Sequence, residues 1–379
     1  MHIYQLGNIS DKQEILKTLG VESGGISILA KKMELFYFFI KDLKTPAANI
    51  LKQDALSIGA DLAVPGGVIT CEKPLYDCIL IGTKKHMEIL SRKELAQPFG
   101  LKTLAKELKN FLSLRNFPLQ IMGVINANDD SFFEGSRFVA EDAMVQIKKM
   151  IDEGAQLIDI GAVSSKPGSD RVGELVELER IKPICDKIQE EKLYEKVTFS
   201  IDSYTPSVIE YALKSGFTLI NDITGAQDNT IIALAVKYHV KLCIMHMQGV
   251  PQSMQKDPVY GDVMLEMEQF FEARIAKCEA LGLSKENIIL DVGIGFGKTL
   301  EHNVTLIRNL SHFRHFGCEI LIGISRKSMI DKIISTPIEE RLPGTLALHL
   351  KAVENGANIV RCHDVAAHRQ ALAVAEVLK

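Results

Sequence analysis

Residues 198–225 read "TFSIDSYTPSVIEYALKSGFTLINDITG" and contain two short apolar runs on either side of a helix-like stretch. The runs "TFSIDSY" and "LINDITG" both end in polar residues or glycine. Between them, "PSVIEYALKSG" carries apolar residues at helical spacing and ends at Gly216, a residue type that commonly follows a helix. Apolar strands that alternate with helices are typical of a parallel sheet covered by helices.

The same alternation recurs from about residue 119 to residue 379. Its eight apolar runs are "LQIMGVIN", "LIDIGAV", "TFSIDSY", "LINDITG", "KLCIMHMQ", "IILDVGIG", "EILIGIS" and "NIVRCHD". Eight strand–helix units in a stretch of this size predict an α/β protein with a (β/α)8 TIM barrel over residues 117–379. The alternative, a doubly wound open sheet, seldom contains eight uniform units.

Residues 1–112 do not show this alternation of strand-like and helix-like stretches. They mix helix-like stretches, such as "SDKQEILKTLG", with strand-like ones, such as "YDCILIG". We predict a small N-terminal α/β domain, or an extension packed on the barrel, whose role the sequence does not indicate. A link is expected near "SLRNFP".

Composition excludes several classes of protein. Apolar residues make up 46% and charged residues 24% of the 379 residues, as in ordinary globular proteins. The net charge of −4 argues against nucleic acid as a partner, and the lack of an 18-residue apolar run argues against a membrane span. The N-terminus lacks the features of a signal peptide, and seven cysteines without a C-x-x-C pair indicate reduced thiols. We therefore expect a cytoplasmic protein.

Polar side chains collect at the ends of the predicted strands, where a barrel of this type builds its active site. They are Asn126, Asp159, Asp202, Asn221, His246, Asp291, Ser325, Arg326, Lys327, Arg361 and His363. A carboxylate or amide in a barrel mouth must be paired or must face a ligand. Asp159 lies mid-strand, and we assign it to bracing.

These side chains suit a ligand with two chemically different halves. Asp202, Asn221 and Asp291 can read the N–H and C=O edges of a flat ring, such as a guanine-like or pterin ring. Donors and positive charge suited to phosphate oxygens come from Ser325, Lys327, Arg361 and His363. The neutral oxygen of Asn126 suits Mg²⁺ that bridges a substrate phosphate.

The stretch "LDVGIGFGKT", residues 290–299, comes close to the phosphate-binding pattern G-x-x-x-x-G-K-[ST]. Its first glycine is missing, because residue 292 is Val, and the glycines alternate instead. A P-loop nucleotidase is therefore rejected on spacing. We predict a loop whose backbone passes close to a ligand, with Lys298 as a surface or bracing residue.

Several motifs together resemble the dihydropteroate synthase family. They are "MGVINANDDSFFEG", "DIGAVSSKPG", "SIDSYTPSVIEYALKSG", "INDITG", "MHMQGVPQSMQ", "LDVGIGFGKTLEHN", "IGISRKSMI", "ERLPGTLA" and "GANIVRCHD", in family order. The resemblance covers residues 119–379. It implies a transferase of folate biosynthesis, in which 4-aminobenzoate displaces pyrophosphate from 6-hydroxymethyl-7,8-dihydropterin diphosphate to give dihydropteroate.

The resemblance also implies site roles. The implied pterin-binding residues are Asp202, Asn221, Met245, Asp291, Phe296 and Lys327, with Asp202, Asp291 and Lys327 as the catalytic ones. Diphosphate binding is implied for Asn126, Arg361 and His363, with Mg²⁺ on Asn126, and 4-aminobenzoate binding for Ser165, Lys166, Pro167 and Ser328. A homodimer and sulfonamide sensitivity are implied as well. The implied mechanism has much SN1 character and needs charge near the developing cation rather than a strong base.

The first two loops depart from the family pattern. The first usually reads N-V-T-P-D-S, but here Asn128 and Asp129 interrupt it. The second usually reads G-E-S-T-R-P-G, but here Val163, Ser165 and Lys166 replace Glu, Thr and Arg. Lysine keeps the charge but loses the two-pronged hydrogen bonding of arginine. The effect of these loops on rate and on sulfonamide response is therefore left open.

Two alternatives to this function remain at the level of sequence. A corrinoid-dependent methyltransferase would share Asp202, Asn221 and Asp291, but it has no use for the "SRK" and "RCH" segments. A pterin-binding protein without activity would explain the altered loops. A turnover assay with both substrates separates these hypotheses.

Overall fold

In a computed structural model, the chain is described over residues 2–4, 6, 11–127, 136–163, 172–250 and 252–378, with only the backbone for 136–139. It divides into two compact units: an N-terminal unit, residues 1–114 with 378–379, and a barrel unit, residues 115–377. The division falls within the "SLRNFP" link. Within the described part of the chain, none of the helices combines the length and apolar character that crossing a bilayer requires.

The N-terminal unit is a small α/β structure, as predicted. Its elements are α1 (Lys12–Thr18), α2 (Ser23–Lys32), β1 (Leu35–Lys44), α3 (Thr45–Leu56), β2 (Asp61–Ala63), β3 (Leu75–Thr83), α4 (Lys84–Lys93) and α5 (Leu101–Leu112). The three strands form an antiparallel sheet in the order β1-β3-β2. Alternate residues of β3, including Tyr76, Cys78 and Leu80, are buried, so one face of the sheet packs against the helices.

The barrel unit is a closed barrel of eight parallel strands, which confirms the predicted (β/α)8 fold. Its strands are β4 (Gln120–Asn126), β5 (Leu157–Gly161), β6 (Thr198–Asp202), β7 (Leu219–Asp222), β8 (Lys241–Met245), β9 (Ile288–Asp291), β10 (Glu319–Ile322) and β11 (Ile359–Cys362). Its helices are α6 (Ser136–Glu153), α7 (Glu174–Glu190), α8 (Pro206–Lys214), α9 (Asn229–Tyr238), α10 (Val263–Ala280), α11 (Leu300–Arg308), α12 (Ser328–Ile333), α13 (Leu342–Glu354) and α14 (Val365–Val377). A strand lies within each of the eight predicted runs. The open-sheet alternative is excluded, because the last strand, β11, pairs with the first barrel strand, β4, and closes the ring.

Two apolar layers hold the strand ends in place. Inside the barrel, one cluster is formed by Met122, Leu157, Leu219, Cys243, Ile289, Leu321 and Ile359. The larger cluster lies between the strands and the surrounding helices and includes fully buried Phe199, Phe217 and Phe271. With both faces of every strand packed, the polar residues that follow the strands emerge together at one end of the barrel.

Candidate active site

Four neighbouring strands end at the same level of the barrel mouth. Asn126 is paired with Gly161 across β4 and β5, Gly161 with Asp202 across β5 and β6, and Asp202 with Asn221 across β6 and β7. A Cβ on Gly161 would lie only 3.2 Å from the Cβ of Asp202. The glycine therefore leaves room for the Asp202 side chain beside it.

Arg361 of β11 reaches across the mouth to two carboxylates. Its Nε donates to Asp159 Oδ2 at 2.7 Å, and its Nη2 donates to Asp202 Oδ2 at 2.9 Å. The amide of Asn221 donates to the same Asp159 oxygen at 2.9 Å. Asp159 is fully buried and braces both side chains, as predicted. One hydrogen-bonded cluster thus joins four strands.

Burial and neighbouring charges have opposing effects on the pKa values of this cluster. Burial, together with the charge of Asp159 beside it, raises the pKa of Asp202 to about 7, and Arg361 limits the rise. Burial opposes the charge of Arg361, but Asp159 and Asp202 raise its pKa above the ordinary value. Arg361 is therefore charged at neutral pH, whereas Asp202 can gain or lose a proton there.

Asp291 ends β9 and enters the glycine-rich loop. Its Oδ1 accepts a hydrogen bond from Gly293 N at 2.8 Å, and burial raises the pKa of this carboxyl. Gly293 has a φ of 64°, and a Cβ there would lie 2.0 Å from the carbonyl oxygen of His246. Only glycine fits this position, so the alternating glycines let the loop pass against the end of β8.

Lys298 braces this loop from beneath and does not lie at the surface. Its Nζ lies 2.9 Å from His246 Nδ1 and donates to the carbonyl oxygens of Gly293 at 3.1 Å and Phe296 at 3.0 Å. Burial lowers the pKa of Lys298 to about 7 and that of His246 to about 3. His246, a strand-end candidate, therefore supports the loop as a neutral side chain.

Lys327 lies on the other side of the same loop. Its Nζ donates to the carbonyl oxygen of Ile294 and sits 4.5 Å from the centre of the Phe296 ring, in a cation–π contact. Burial lowers the pKa of Lys327 to about 8, while Asp291 opposes the shift. The ammonium group of Lys327 thus contacts an aromatic face and interacts electrostatically with the buried carboxylate of Asp291.

The remaining anion-site candidates form a second group at the mouth. Ser325 Oγ lies 2.9 Å from His363 Nδ1 and accepts a hydrogen bond from His363 N at 3.3 Å. Both His363 and Asn126 are exposed. Arg361, although expected to bind the diphosphate together with His363, pairs with the carboxylates of Asp159 and Asp202 instead.

Arg326 turns away from this group. Its guanidinium forms a two-pronged ion pair with Asp364, at 3.1 Å from Nε and 2.9 Å from Nη2. It also donates to the carbonyl oxygens of Ile338 and Glu339. Arg326 is thus a bracing residue of the barrel mouth.

Sequence reasoning missed a line of buried polar side chains behind the "SRK" segment. His349 of α13 accepts from Ile324 N at 3.0 Å and lies 2.8 Å from His368 of α14. Thr345 Oγ accepts from Arg326 N at 2.9 Å. The only sequence signal is polar residues on the inner faces of two apolar helices. They hold the backbone from which Lys327 extends.

The remaining site candidates differ in whether the structure describes them. Met245 is buried at the end of β8, level with Asp291, and Ser328 is exposed at the start of α12. The second-loop candidates Ser165, Lys166 and Pro167 lie outside the described residues, as do Asn128 and Asp129. Val163 is described and half-buried just after β5.

Known proteins of one family are similar to this chain in sequence. The sequence profile of the family described as "Pterin binding enzyme" matches residues 122–363. The bifunctional dihydropteroate synthase/dihydropteroate reductase of Helicobacter pylori is 40% identical over 355 residues, covering 93% of each chain. The dihydropteroate synthase of Haemophilus influenzae is 41% identical over 256 residues, or 67% of this chain and 92% of that protein.

Among solved structures, the dihydropteroate synthase of Yersinia pestis in a sulfonamide drug complex superimposes with a TM-score of 0.65 at 36% identity. The match covers 70% of this chain and 98% of that one. This coverage corresponds in extent to the barrel unit. The chain therefore belongs to the pterin-binding enzymes and, among them, to the dihydropteroate synthase family of transferases.

Proposed function

We propose that the barrel unit condenses 6-hydroxymethyl-7,8-dihydropterin diphosphate with 4-aminobenzoate to dihydropteroate and pyrophosphate. The observation that carries this proposal is the cluster of Asp202, Asn221, Asp159 and Arg361 at the mouth, with Asp291 and Lys327 facing it. Buried carboxylates and an amide suit the N–H groups of a pterin, and the cationic groups beside them suit a diphosphate.

The pterin ring would lie between the ends of β6 and β9. Asp202, Asn221 and Asp291 would accept from or donate to its edge, and Lys327 would donate to its carbonyl side. Met245 and Phe296 would supply the apolar walls. Support comes from the burial of Asn221 and Asp291 and from the Lys327–Phe296 contact, which holds both side chains in place.

The diphosphate would bind where Asn126, Arg361 and His363 emerge. The exposed carboxamide of Asn126 is a hard oxygen donor at the level of Asp202, so it fits Mg²⁺, which takes few protein ligands beside substrate phosphates. Bound Mg²⁺ would offset charge on the departing pyrophosphate. Arg361 would share its charge between the carboxylates and the diphosphate.

In the reaction, the bond between the pterin methylene carbon and the diphosphate oxygen breaks, and its electrons leave with pyrophosphate. Asp202 and Asp291 would stabilise the positive charge that develops on the pterin. The amine of 4-aminobenzoate then forms the C–N bond and releases a proton to solvent. Ser328 and the second-loop residues Ser165, Lys166 and Pro167 would position the aminobenzoate.

We also propose that the protein works as a homodimer in the cytoplasm. All seven cysteines are free thiols, which supports a reducing compartment. Resemblance to the family supports the dimer, and sedimentation of the purified chain tests it.

The experiment for the synthase is product detection by mass spectrometry with both substrates and Mg²⁺. Dihydropteroate should form, and a sulfonamide should compete with 4-aminobenzoate, because a sulfonamide binds the Yersinia pestis relative. Tight pterin binding without product would instead support the non-catalytic pterin-binding protein.

A second candidate function is reduction of dihydropteroate. The Helicobacter pylori relative, whose name includes a reductase, matches over 355 residues, more than the barrel unit contains, so its match extends well into the N-terminal unit. The 256-residue synthase match fits within the barrel. The N-terminal unit is thus shared with the bifunctional relative.

This activity would add a hydride and a proton across a C=N bond of dihydropteroate and would need a hydride donor such as a reduced nicotinamide or flavin nucleotide. The full chain should convert dihydropteroate to tetrahydropteroate, two mass units heavier, under anaerobic conditions with one of these donors. Synthesis without reduction, with each donor tested, would leave the synthase as the only activity.

A further inference from the structure

Three metal-ligating side chains meet in the outer layer of the barrel unit. Glu268 lies on α10, and His312 and His315 lie on the 3₁₀ segment Leu310–Phe316 that precedes β10. Glu268 Oε1 is 3.6 Å from His312 Nε2 and 3.7 Å from His315 Nε2. Their ligand atoms all lie within 4.8 Å of one another.

The backbone presents these side chains in a fixed arrangement. In a 3₁₀ helix, residues three apart lie directly above one another, so His312 and His315 share one face. On the neighbouring face, Phe313 and Phe316 pack edge-on against Phe271 of α10, with ring centroids 5.5 and 6.2 Å apart. Phe271 is three residues after Glu268, so these aromatic contacts hold the carboxylate opposite the imidazoles.

The protonation pattern of His315 calls for a cation at this point. Its Nδ1 lies 2.6 Å from the carbonyl oxygen of His312, so Nδ1 carries the hydrogen and donates it. Nε2 then presents a lone pair to the Glu268 carboxylate. Two acceptors that face each other need a proton or a metal ion between them.

We propose that Glu268, His312 and His315 form a binding site for Zn²⁺ or a similar first-row transition-metal ion. Tetrahedral Zn²⁺ with bonds of about 2.0–2.1 Å places its ligand atoms about 3.3–3.4 Å apart, a few tenths of an ångström less than the two measured separations. Two imidazoles favour such an ion over Mg²⁺, so this site differs from the proposed diphosphate site.

The hydrogen bond from His315 Nδ1 to the carbonyl oxygen is the contact that orients imidazole ligands in metal sites. The side chains of Glu268 and His312 are each 26% exposed, so an ion can enter and a water molecule can complete its coordination. The bound ion would tie α10, which follows β8, to the segment that leads into β10. Its role would be to stabilise the barrel.

The test is Co²⁺ and Zn²⁺ binding to the full, tag-free chain without substrates. We expect one ion per chain, visible absorption bands typical of tetrahedral Co²⁺, their loss on adding Zn²⁺, and a Tm that rises with Zn²⁺ concentration. Glu268→Gln and His315→Gln should each weaken binding by at least tenfold. Both variants should retain dihydropteroate synthesis, and this activity would show that they fold.

His239→Asn is the matched control, because it removes an exposed imidazole at a left-handed position that asparagine tolerates. It should bind the ion as the parent does. The proposal is overturned if the parent shows no saturable binding. It is also overturned if the folded Glu268 and His315 variants bind as the control does. In either case, a proton would occupy the space between Glu268 and His315.

Discussion

Replacing Asp202 by asparagine removes one negative charge from the barrel mouth while keeping the size of the side chain and an oxygen that can accept from Arg361. Arg361 also retains its 2.7 Å contact with Asp159, so the cluster should stay assembled. What is lost is the charge that should stabilise the pterin cation. Removing one preorganised electrostatic group costs about 10²- to 10³-fold in kcat, or about 3–4 kcal/mol.

The size of this effect should depend on pH. Because the pKa of Asp202 is raised to about 7, the parent carboxyl is about half ionised at pH 7 and its rate should rise with pH through this value. The pKa of Lys327 is lowered to about 8, so the rate should fall again as this ammonium deprotonates. The parent should therefore show a bell-shaped profile, and Asp202→Asn should lack its acid limb.

The assay is steady-state kinetics of dihydropteroate formation between pH 6 and 9. Asp228→Asn serves as the control, because Asp228 is an exposed helix N-cap and asparagine caps as well as aspartate. An unchanged kcat with a raised KM in Asp202→Asn would show that this residue only binds substrate. An acid limb that persists in the variant would assign it to another group.

Arg361→Ala should weaken binding of the pterin diphosphate far more than binding of the pterin alone, as measured by calorimetry, and equal loss for both ligands would contradict the diphosphate role. The same change should lower the free energy of unfolding by about 3–5 kcal/mol, because two carboxylates lose their partner. Lys166→Ala should slow turnover and raise the KM for 4-aminobenzoate, whereas Lys166→Arg should keep or raise activity. If neither variant differs from the parent in its steady-state kinetics, the second loop takes no part in catalysis. In the N-terminal unit, burial raises the pKa of Glu94 to about 7 from an unfolded value near 4.5. As pH rises from about 4.5 to 7, ionisation of this buried carboxyl therefore lowers the free energy of unfolding. Glu94→Gln should raise the free energy of unfolding, measured with urea, by about 3 kcal/mol at pH 8 but by little at pH 4.5. An equal effect at the two pH values would refute this.

The barrel could be predicted because its signal is repeated and local. Each strand is packed on both faces and reads as an apolar run, and each is followed by a helix-period stretch. The strand ends were less predictable. For example, "TFSIDSY" leaves the sheet at Asp202, and the hydroxyl of the next residue, Ser203, donates to Glu177 at 2.6 Å.

Convergence of the polar strand ends was also predictable, since the topology brings the ends together. Their pairing was not, because the partners are remote in sequence. Arg361 and Asp159 are separated by 202 positions, and nothing local to either indicates that they meet. Arg326 shows the converse, since its position at a strand end predicts a site residue, whereas its guanidinium pairs with Asp364.

The N-terminal unit was least predictable. The apolar cluster "MELFYFFI" lies largely in β1, which pairs antiparallel with β3 forty residues later and leaves Tyr37 and Phe39 exposed. Antiparallel pairing at this distance depends on contacts formed only in the folded unit. A single sequence gives such pairs little local signal.

The most direct test of the account is pyrophosphate release by the purified full chain with pterin diphosphate and Mg²⁺, with and without 4-aminobenzoate. The account predicts release that depends on 4-aminobenzoate and equals dihydropteroate formed, one for one. Release at the same rate without 4-aminobenzoate would show a hydrolase. No release by a chain that binds the pterin diphosphate would contradict the proposed catalysis.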